Sequence, residues 1–237
     1  MTSYLINLNR DEERLSAQRE QFGRLGISFE RVHASESAEY DKFRWWCAVL
    51  RPVVRGELGC AASHLECYRR LLASQDACAA VFEDDVLLSD GIRDALGEAE
   101  RFCTINREAV VLLGSHWRSK SGDIAVEVDA RSKIVPIEWD NCSEGYVIGR
   151  DAALKLLRGQ SPVRVPADWW RYFRKKGWIE LFHSEPSVCA QQVERFKSNI
   201  EERYVANQAG ALGRVWWRLR RIVGVSIDTL MDGRAGW

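Results

Sequence analysis

No uninterrupted apolar run in this chain approaches the roughly 18 residues that a membrane-spanning helix needs, so no transmembrane span is expected. Nothing at the start of the sequence resembles a signal peptide, so none is expected. The apolar "YLINL" from residue 4 has no h-region length and is followed at once by "NRDEER". Nor is there an excess of charge of one sign: thirty-four basic residues balance thirty-four acidic ones, for a formal net charge of zero. A nucleic-acid binder usually carries a basic excess, so nucleic acid is not an expected partner. The seven cysteines, at 47, 60, 67, 78, 103, 142 and 189, are odd in number and include no CxxC pair. Reduced thiols in the cytoplasm fit that pattern better than a disulfide framework. Cys60 and His64, four apart on an expected helix, can touch one metal, but no second pair completes a tetrahedral zinc site. Internal repeats and low-complexity blocks are absent.

What is present is an ordinary globular composition, 46% hydrophobic and 29% charged over 237 residues, enough for one sizeable core. "SYLINL" reads as a strand and "RDEERLSAQREQFGRLG" as a helix with Leu15, Phe22 and Leu25 on one face, closed by Gly26. "ISFERV" reads as a second strand, and this β-α-β opening favours a parallel sheet covered by helices. "GELGCAASHLECYRRLLAS" carries Leu58, Ala61, Leu65, Tyr68 and Leu72 at helical spacing. Strands are expected at "AAVFE", "AVVLLGS", "IAVEV", "KIVPIEW" and "GYVIG", and helices at "SDGIRDALGEAERF" and "RDAALKLLRG". Residues 160 to 200, with Pro162, Pro166 and Pro186, read as loop-rich. The expected organisation is one α/β domain over residues 1–205 and a distinct tail over 206–237.

The chemistry concentrates in "AAVFEDDVLLSD", where a core-like run meets three adjacent carboxylates, Glu83, Asp84 and Asp85. In a strand, alternate residues share a face, so Glu83 and Asp85 project together and Asp84 projects away. Ligands of open α/β sheets bind just past the carboxyl ends of the strands. Two carboxylates there suit a hard divalent cation, Mn²⁺ or Mg²⁺, which keeps positions open for phosphate oxygens. A solvated acidic turn is the competing structural explanation. "VPADWW" sets Asp168 beside Trp169 and Trp170, a carboxylate next to two rings able to stack on sugar faces. An N-cap with core tryptophans is the alternative there. In the tail, "RVWWRLRRIVG" places Leu212, Val215, Trp216, Leu219, Ile222 and Val223 on one helical face and Arg214, Arg218 and Arg221 on another. Both a membrane-surface helix and a helix docked on its own domain fit this pattern.

In order along the chain, "YLINLNRDEER", "GELGCAASH", "VFEDDV", "EGYVIGRDAALKLL", "VPADWW" and "QQVERFKSNI" resemble glycosyltransferase family 25, the lipopolysaccharide-biosynthesis galactosyltransferases related to the collagen galactosyltransferases. The matching pieces run from residue 4 to about 200. The resemblance implies a GT-A-like fold with a mixed, mainly parallel central sheet and a UDP-sugar donor, most often UDP-galactose. It also implies a glycan or glycolipid acceptor of the lipopolysaccharide or lipooligosaccharide class. By that analogy Glu83-Asp84-Asp85 is the DxD-type motif, with Asp85 on the metal and Glu83 or Asp84 reaching it through water or contacting the ribose. Glu in the first position departs from the pattern. "INLNR" would lie under the nucleotide, with Asn7, Leu8, Arg10 and Arg14 as donor contacts. Ser63 and His64 join them, although a lone helical histidine is more often structural.

Sugar transfer with inversion needs a base for the acceptor hydroxyl, which assigns Asp168 that role. Glu144 is the alternative base and, with Trp169 and Trp170, an acceptor contact. The expected location is cytoplasmic and peripheral at the inner membrane. Two other classes compete. A haloacid-dehalogenase-type phosphohydrolase would need an aspartate nucleophile where this chain has Glu83, whose extra methylene misplaces the attacking oxygen. A non-catalytic nucleotide-sugar binder would keep the fold and the tail without turnover.

Overall fold

The computed structural model describes residues 1–34, 55–114, 133–141 and 143–192. Its elements, in chain order, are β1 (Thr2–Asn7), α1 (Glu12–Arg24), β2 (Glu30–His33), α2 (Arg55–Ala73), β3 (Cys78–Glu83), β4 (Val86–Leu88), α3 (Ile92–Ile105), β5 (Ala109–Leu112), β6 (Lys133–Pro136), β7 (Gly145–Gly149), α4 (Arg150–Gly159), α5 (Trp170–Lys175), β8 (Glu180–Glu185) and β9 (Cys189–Gln191). The expected tail, the expected strand "IAVEV" and most of "QQVERFKSNI" lie outside the described residues.

Seven strands form one sheet in the order β2-β1-β3-β7-β5-β8-β6, and β4 pairs with β9 in a separate ribbon. β1 is parallel to β2 and β3, and β8 is parallel to β5. β7 runs antiparallel to β3 and β5, and β6 antiparallel to β8. Five of the seven strands therefore point one way, the mixed, mainly parallel α/β arrangement expected of a GT-A-like domain.

The strands are apolar on both faces because both faces are covered. Tyr4, Ile6, Val81, Tyr146 and Ile148 pack with α2, α4 and α5 through Leu58, Leu65, Leu71, Leu156 and Trp170. Leu5, Ala80, Phe82 and Val147 pack on the other face with α1 and α3 through Leu15, Phe22, Ile92 and Ala99. α1 ends where the sequence says it should: Gly26 takes φ 66°, a left-handed conformation that glycine adopts without a Cβ clash. Arg150, at the start of α4, donates to the carbonyl oxygens of Leu71, Leu72, Ser74 and Asp76. A guanidinium thus satisfies the open carbonyl end of α2 and complements its dipole.

The stretch read as loop-rich holds more structure than expected. β8 is a central strand of the sheet's second half, and β9 pairs back onto β4. Candidate ligand positions follow from the topology: the carboxyl ends of β1, β3, β5 and β8 all open on the same edge of the sheet, where Asn7, Glu83 and the β8 residues His183 to Glu185 lie.

Candidate functional site

β3 ends at Glu83, and Asp84 and Asp85 form the turn into β4. Strand alternation therefore carries only as far as Glu83, and Asp85 is placed by the turn rather than by sharing a strand face with Glu83. Side chains of α1 hold that turn. Gln18 Nε2 donates to the carbonyls of Asp84 at 3.1 Å and Val86 at 2.9 Å, and Gln21 bridges Val86 O and the Leu88 amide. From the other side the Gln192 amide donates to Asp85 O, and Gln191 Nε2 donates to Asp85 Oδ2 at 2.9 Å.

The three acids have different surroundings. Asp84 is locked: Asn7 Nδ2 donates to its Oδ2 at 2.7 Å and Arg14 Nη1 to its Oδ1 at 2.8 Å. Burial raises its carboxyl above the ordinary range against these two partners, which pull it down. Glu83 accepts a 2.6 Å hydrogen bond from Ser143 Oγ and stands 3.5 Å from His64 Nε2. Asp85 is the least compensated. Its Oδ1 is buried with no hydrogen-bond partner among the described residues, and the Arg14 guanidinium is 4.0 Å from its Oδ2. Its carboxyl is pushed up to about 6, first by burial and then by the Glu83 charge, with the Gln191 hydrogen bond opposing. A buried carboxylate facing another carboxylate and lacking a partner for one oxygen is the environment that an oxygen-preferring divalent cation relieves.

The remaining residues singled out by sequence divide. Arg14 and Asn7 are both buried and engaged with Asp84; Asn7 Nδ2 also donates to Asp11 O at 3.1 Å. Leu8 is half-buried, and its carbonyl accepts from Arg31 and from the Asp11 amide, while Arg10 is exposed. Ser63 is buried inside α2 and donates to Gly59 O at 2.7 Å, a turn back in the helix. His64 is buried at the site, its Nδ1 2.7 Å from the Tyr146 hydroxyl, which in turn lies 2.8 Å from that of Tyr68. Glu144 is buried where β7 begins, and its backbone carbonyl accepts from the Glu83 amide. No side chain fits at Gly114 beside it: a Cβ there would stand 2.5 Å from Glu144 Oε1 and 2.7 Å from Cys189 O.

Asp168 and Trp169 are half-buried, just before α5. The cap expectation is not met, because the N-cap position is Trp169 and no side chain caps the helix. Trp170 is fully buried, packed edge-on against Tyr146 at 5.1 Å and near Phe173. It has no ring face to offer a sugar, so the stacking expectation narrows to Trp169.

Sequence reasoning passed over a cleft of about 970 Å³. It is lined by Leu87 and Leu88 of β4, by Trp139 and Asp140 after β6, and by His183 and Glu185 of β8 among others. Trp139 and Leu87 are partly exposed there, and burial holds the His183 imidazole below its ordinary value. The one available signal was the exposed-looking "IEWDN", an aromatic between acids. Ser143 and Gln191, which hydrogen-bond Glu83 and Asp85, were also passed over, as were Tyr146 and Tyr68, which stand behind His64, since the tertiary fold alone brings them together.

Comparison with known proteins shows what the chain is similar to. The family model described as glycosyltransferase family 25 (LPS biosynthesis protein) matches residues 1–170. A lacto-N-neotetraose biosynthesis glycosyltransferase, LgtE, of Neisseria gonorrhoeae is 26% identical over 220 residues, covering 83% of this chain and 76% of the relative. A glycosyltransferase 25 family member of Anopheles gambiae is 25% identical over 173 residues, covering 66% of this chain but 28% of the relative. The chain thus spans little more than a quarter of the mosquito protein and about three-quarters of the bacterial one.

Proposed function

The chain belongs to glycosyltransferase family 25, and on that premise we propose that it moves a sugar from a nucleotide-sugar donor onto a lipopolysaccharide or lipooligosaccharide glycan. The observation that carries this reading is Asp85, a buried and only partly compensated carboxylate beside Glu83 at the carboxyl edge of the sheet. The donor in this reading is a UDP-sugar, with UDP-galactose first among them, and the reaction inverts the anomeric centre.

Asp85 and Glu83 would hold Mn²⁺ or Mg²⁺. When bound, such an ion supplies positive charge to a diphosphate leaving group. Asp84 serves the turn: locked by Asn7 and Arg14, it fixes the backbone from which Asp85 is presented. Arg14 also keeps a positive charge 4.0 Å from Asp85 and so limits the repulsion among three acids. Leu8 and the exposed Arg10 lie past the end of β1, where a base or ribose passes over the sheet edge.

On the acceptor side, Asp168 takes the proton of the attacking hydroxyl as the new bond forms. Its half-buried place just before α5, next to Trp169, supports this reading. Trp169 offers the apolar ring against which an acceptor sugar stacks. Glu144, buried beside Glu83, is the alternative base. A lipid-linked acceptor places the enzyme at the cytoplasmic membrane face, where the basic amphipathic pattern of the tail fits anionic headgroups. No helix among the described residues is long and apolar enough to cross a membrane.

The test is UDP release from a panel of nucleotide sugars, with and without Mn²⁺, in the presence of a lipooligosaccharide acceptor. Release from UDP-galactose that depends on the metal is expected. Binding of nucleotide sugar without release from any donor would leave a non-catalytic binding protein instead.

A further inference from the structure

We infer that Cys60, His64 and Glu83 form a second site, one for a soft divalent transition metal such as Zn²⁺. Cys60 and His64 sit one turn apart on α2, and Glu83 arrives from the end of β3. Their ligand atoms all lie within 4.8 Å of one another. His64 Nε2 and Glu83 Oε1 are 3.5 Å apart. Around a tetrahedral zinc with bonds of roughly 2.0–2.3 Å, neighbouring ligand atoms are separated by about 3.3–3.8 Å. The pair already has that spacing, and the sulfur needs only a small inward movement.

The histidine is prepared for ligation. It is 1% exposed, and its Nε2 has no hydrogen-bond partner among the described residues. An imidazole nitrogen left in that state is costly unless something else accepts its lone pair. The other ring nitrogen is held by the Tyr146 hydroxyl at 2.7 Å, itself backed by Tyr68 at 2.8 Å. With the proton on Nδ1 donated to Tyr146, the Nε2 lone pair faces Glu83, the outer-sphere arrangement typical of metal-bound histidine. Ser143 Oγ plays the same part for the carboxylate, donating at 2.6 Å to Glu83 Oε1.

Glu83 is common to this site and the oxygen site at Asp85, and the remaining ligands tell the two apart. Thiolate and imidazole select zinc or cobalt over magnesium, whereas a carboxylate cluster selects the harder ions. Binding replaces the thiol proton of Cys60, which leaves to solvent, by the metal, and Nε2 and the Glu83 carboxylate each donate a lone pair. Cys60 and Glu83 are only half-buried, so the fourth position opens to water or to a ligand.

Cobalt replaces zinc spectroscopically and reports the thiolate directly. Titrating Co²⁺ into the full-length, reduced protein should produce a thiolate-to-cobalt charge-transfer band that saturates at one equivalent and is bleached by Zn²⁺. Cys60→Ser should remove the band or weaken cobalt binding by about a hundredfold or more, with circular dichroism confirming that the variant is folded. Asp85→Asn should keep the band, since Asp85 is not among the ligands. The inference is overturned if the wild-type protein gives no band, or if Cys60→Ser keeps it unchanged. Loss of the band in Asp85→Asn would merge this site with the oxygen site and overturn it equally.

Discussion

Replacing Asp85 by asparagine should make the protein more stable at neutral pH. The folded carboxyl titrates near 6 against an ordinary value of 3.8. Between those values the folded state binds more protons than the unfolded chain, so stability falls as pH rises from about 4 to 6 and stays lowered above. A shift of about two units corresponds to a ceiling of about 3 kcal/mol, reduced in practice because Glu83 and Asp85 share the effect. Asparagine keeps an acceptor for Gln191 and removes the charge facing Glu83. At pH 8 with chelator present, Asp85→Asn should gain about 1–3 kcal/mol, or roughly 3–10 °C in Tm for a chain of this size. At pH 4 the two proteins should melt within about a degree of one another. Mn²⁺ at a hundred times its Kd should then add about 2.7 kcal/mol to the wild type and nothing to the variant. Thermal melts at pH 4, 6 and 8 read all three effects. A variant less stable at pH 8, or a gain independent of pH, would refute the view that an under-compensated carboxylate sits in this turn.

Further consequences concern the acceptor side and the tail. Asp168→Asn should lower kcat far more than donor affinity; lost stability with intact specific activity would instead make Asp168 a structural residue. Trp170→Ala should cost about 3–5 kcal/mol of stability, because the ring is fully buried against Tyr146 and Phe173. Trp169→Ala, at a half-buried ring against Tyr172, should lower the melting temperature less than Trp170→Ala does and should raise KM for the acceptor; equal destabilisation by both with an unchanged KM would contradict the division between them. Removing residues 210–237 should release the protein from anionic liposomes while sparing transfer to a soluble sugar. Unchanged flotation with a lowered melting temperature would mean that the tail docks on its own domain.

The fold was legible where local pattern and long-range packing agree. "SYLINL", the apolar face of Leu15, Phe22 and Leu25, and Gly26 announce β1-α1-β2, and "GYVIG" and "RDAALKLLRG" correspond residue for residue to β7 and α4. β8 was not legible. "ELFHSE" carries a histidine and three polar residues, follows a proline-bearing stretch, and becomes a strand only by pairing with β5 some seventy residues earlier. β4 and β9 are three residues each and stabilise one another across a hundred residues, a pairing no local window contains. The site divides in the same way. The acidic triplet was visible as a motif, but the different surroundings of its three members depend on Asn7, Arg14, Ser143 and Gln191 converging from four other segments. Cys60 and His64 were visible as a pair spaced by one helical turn, and Glu83, which completes the set, is far from them in sequence.

In the proposed reaction Asp85 anchors a divalent cation through which nucleotide is held. The direct measurement is calorimetric titration of UDP into wild-type protein and Asp85→Ala, each with saturating Mn²⁺ and with chelator. Metal-dependent UDP binding in the wild type, lost in Asp85→Ala while the variant's circular dichroism and melting transition persist, is the expected result. UDP binding of equal strength in both proteins, or binding that chelator does not weaken in the wild type, would contradict it.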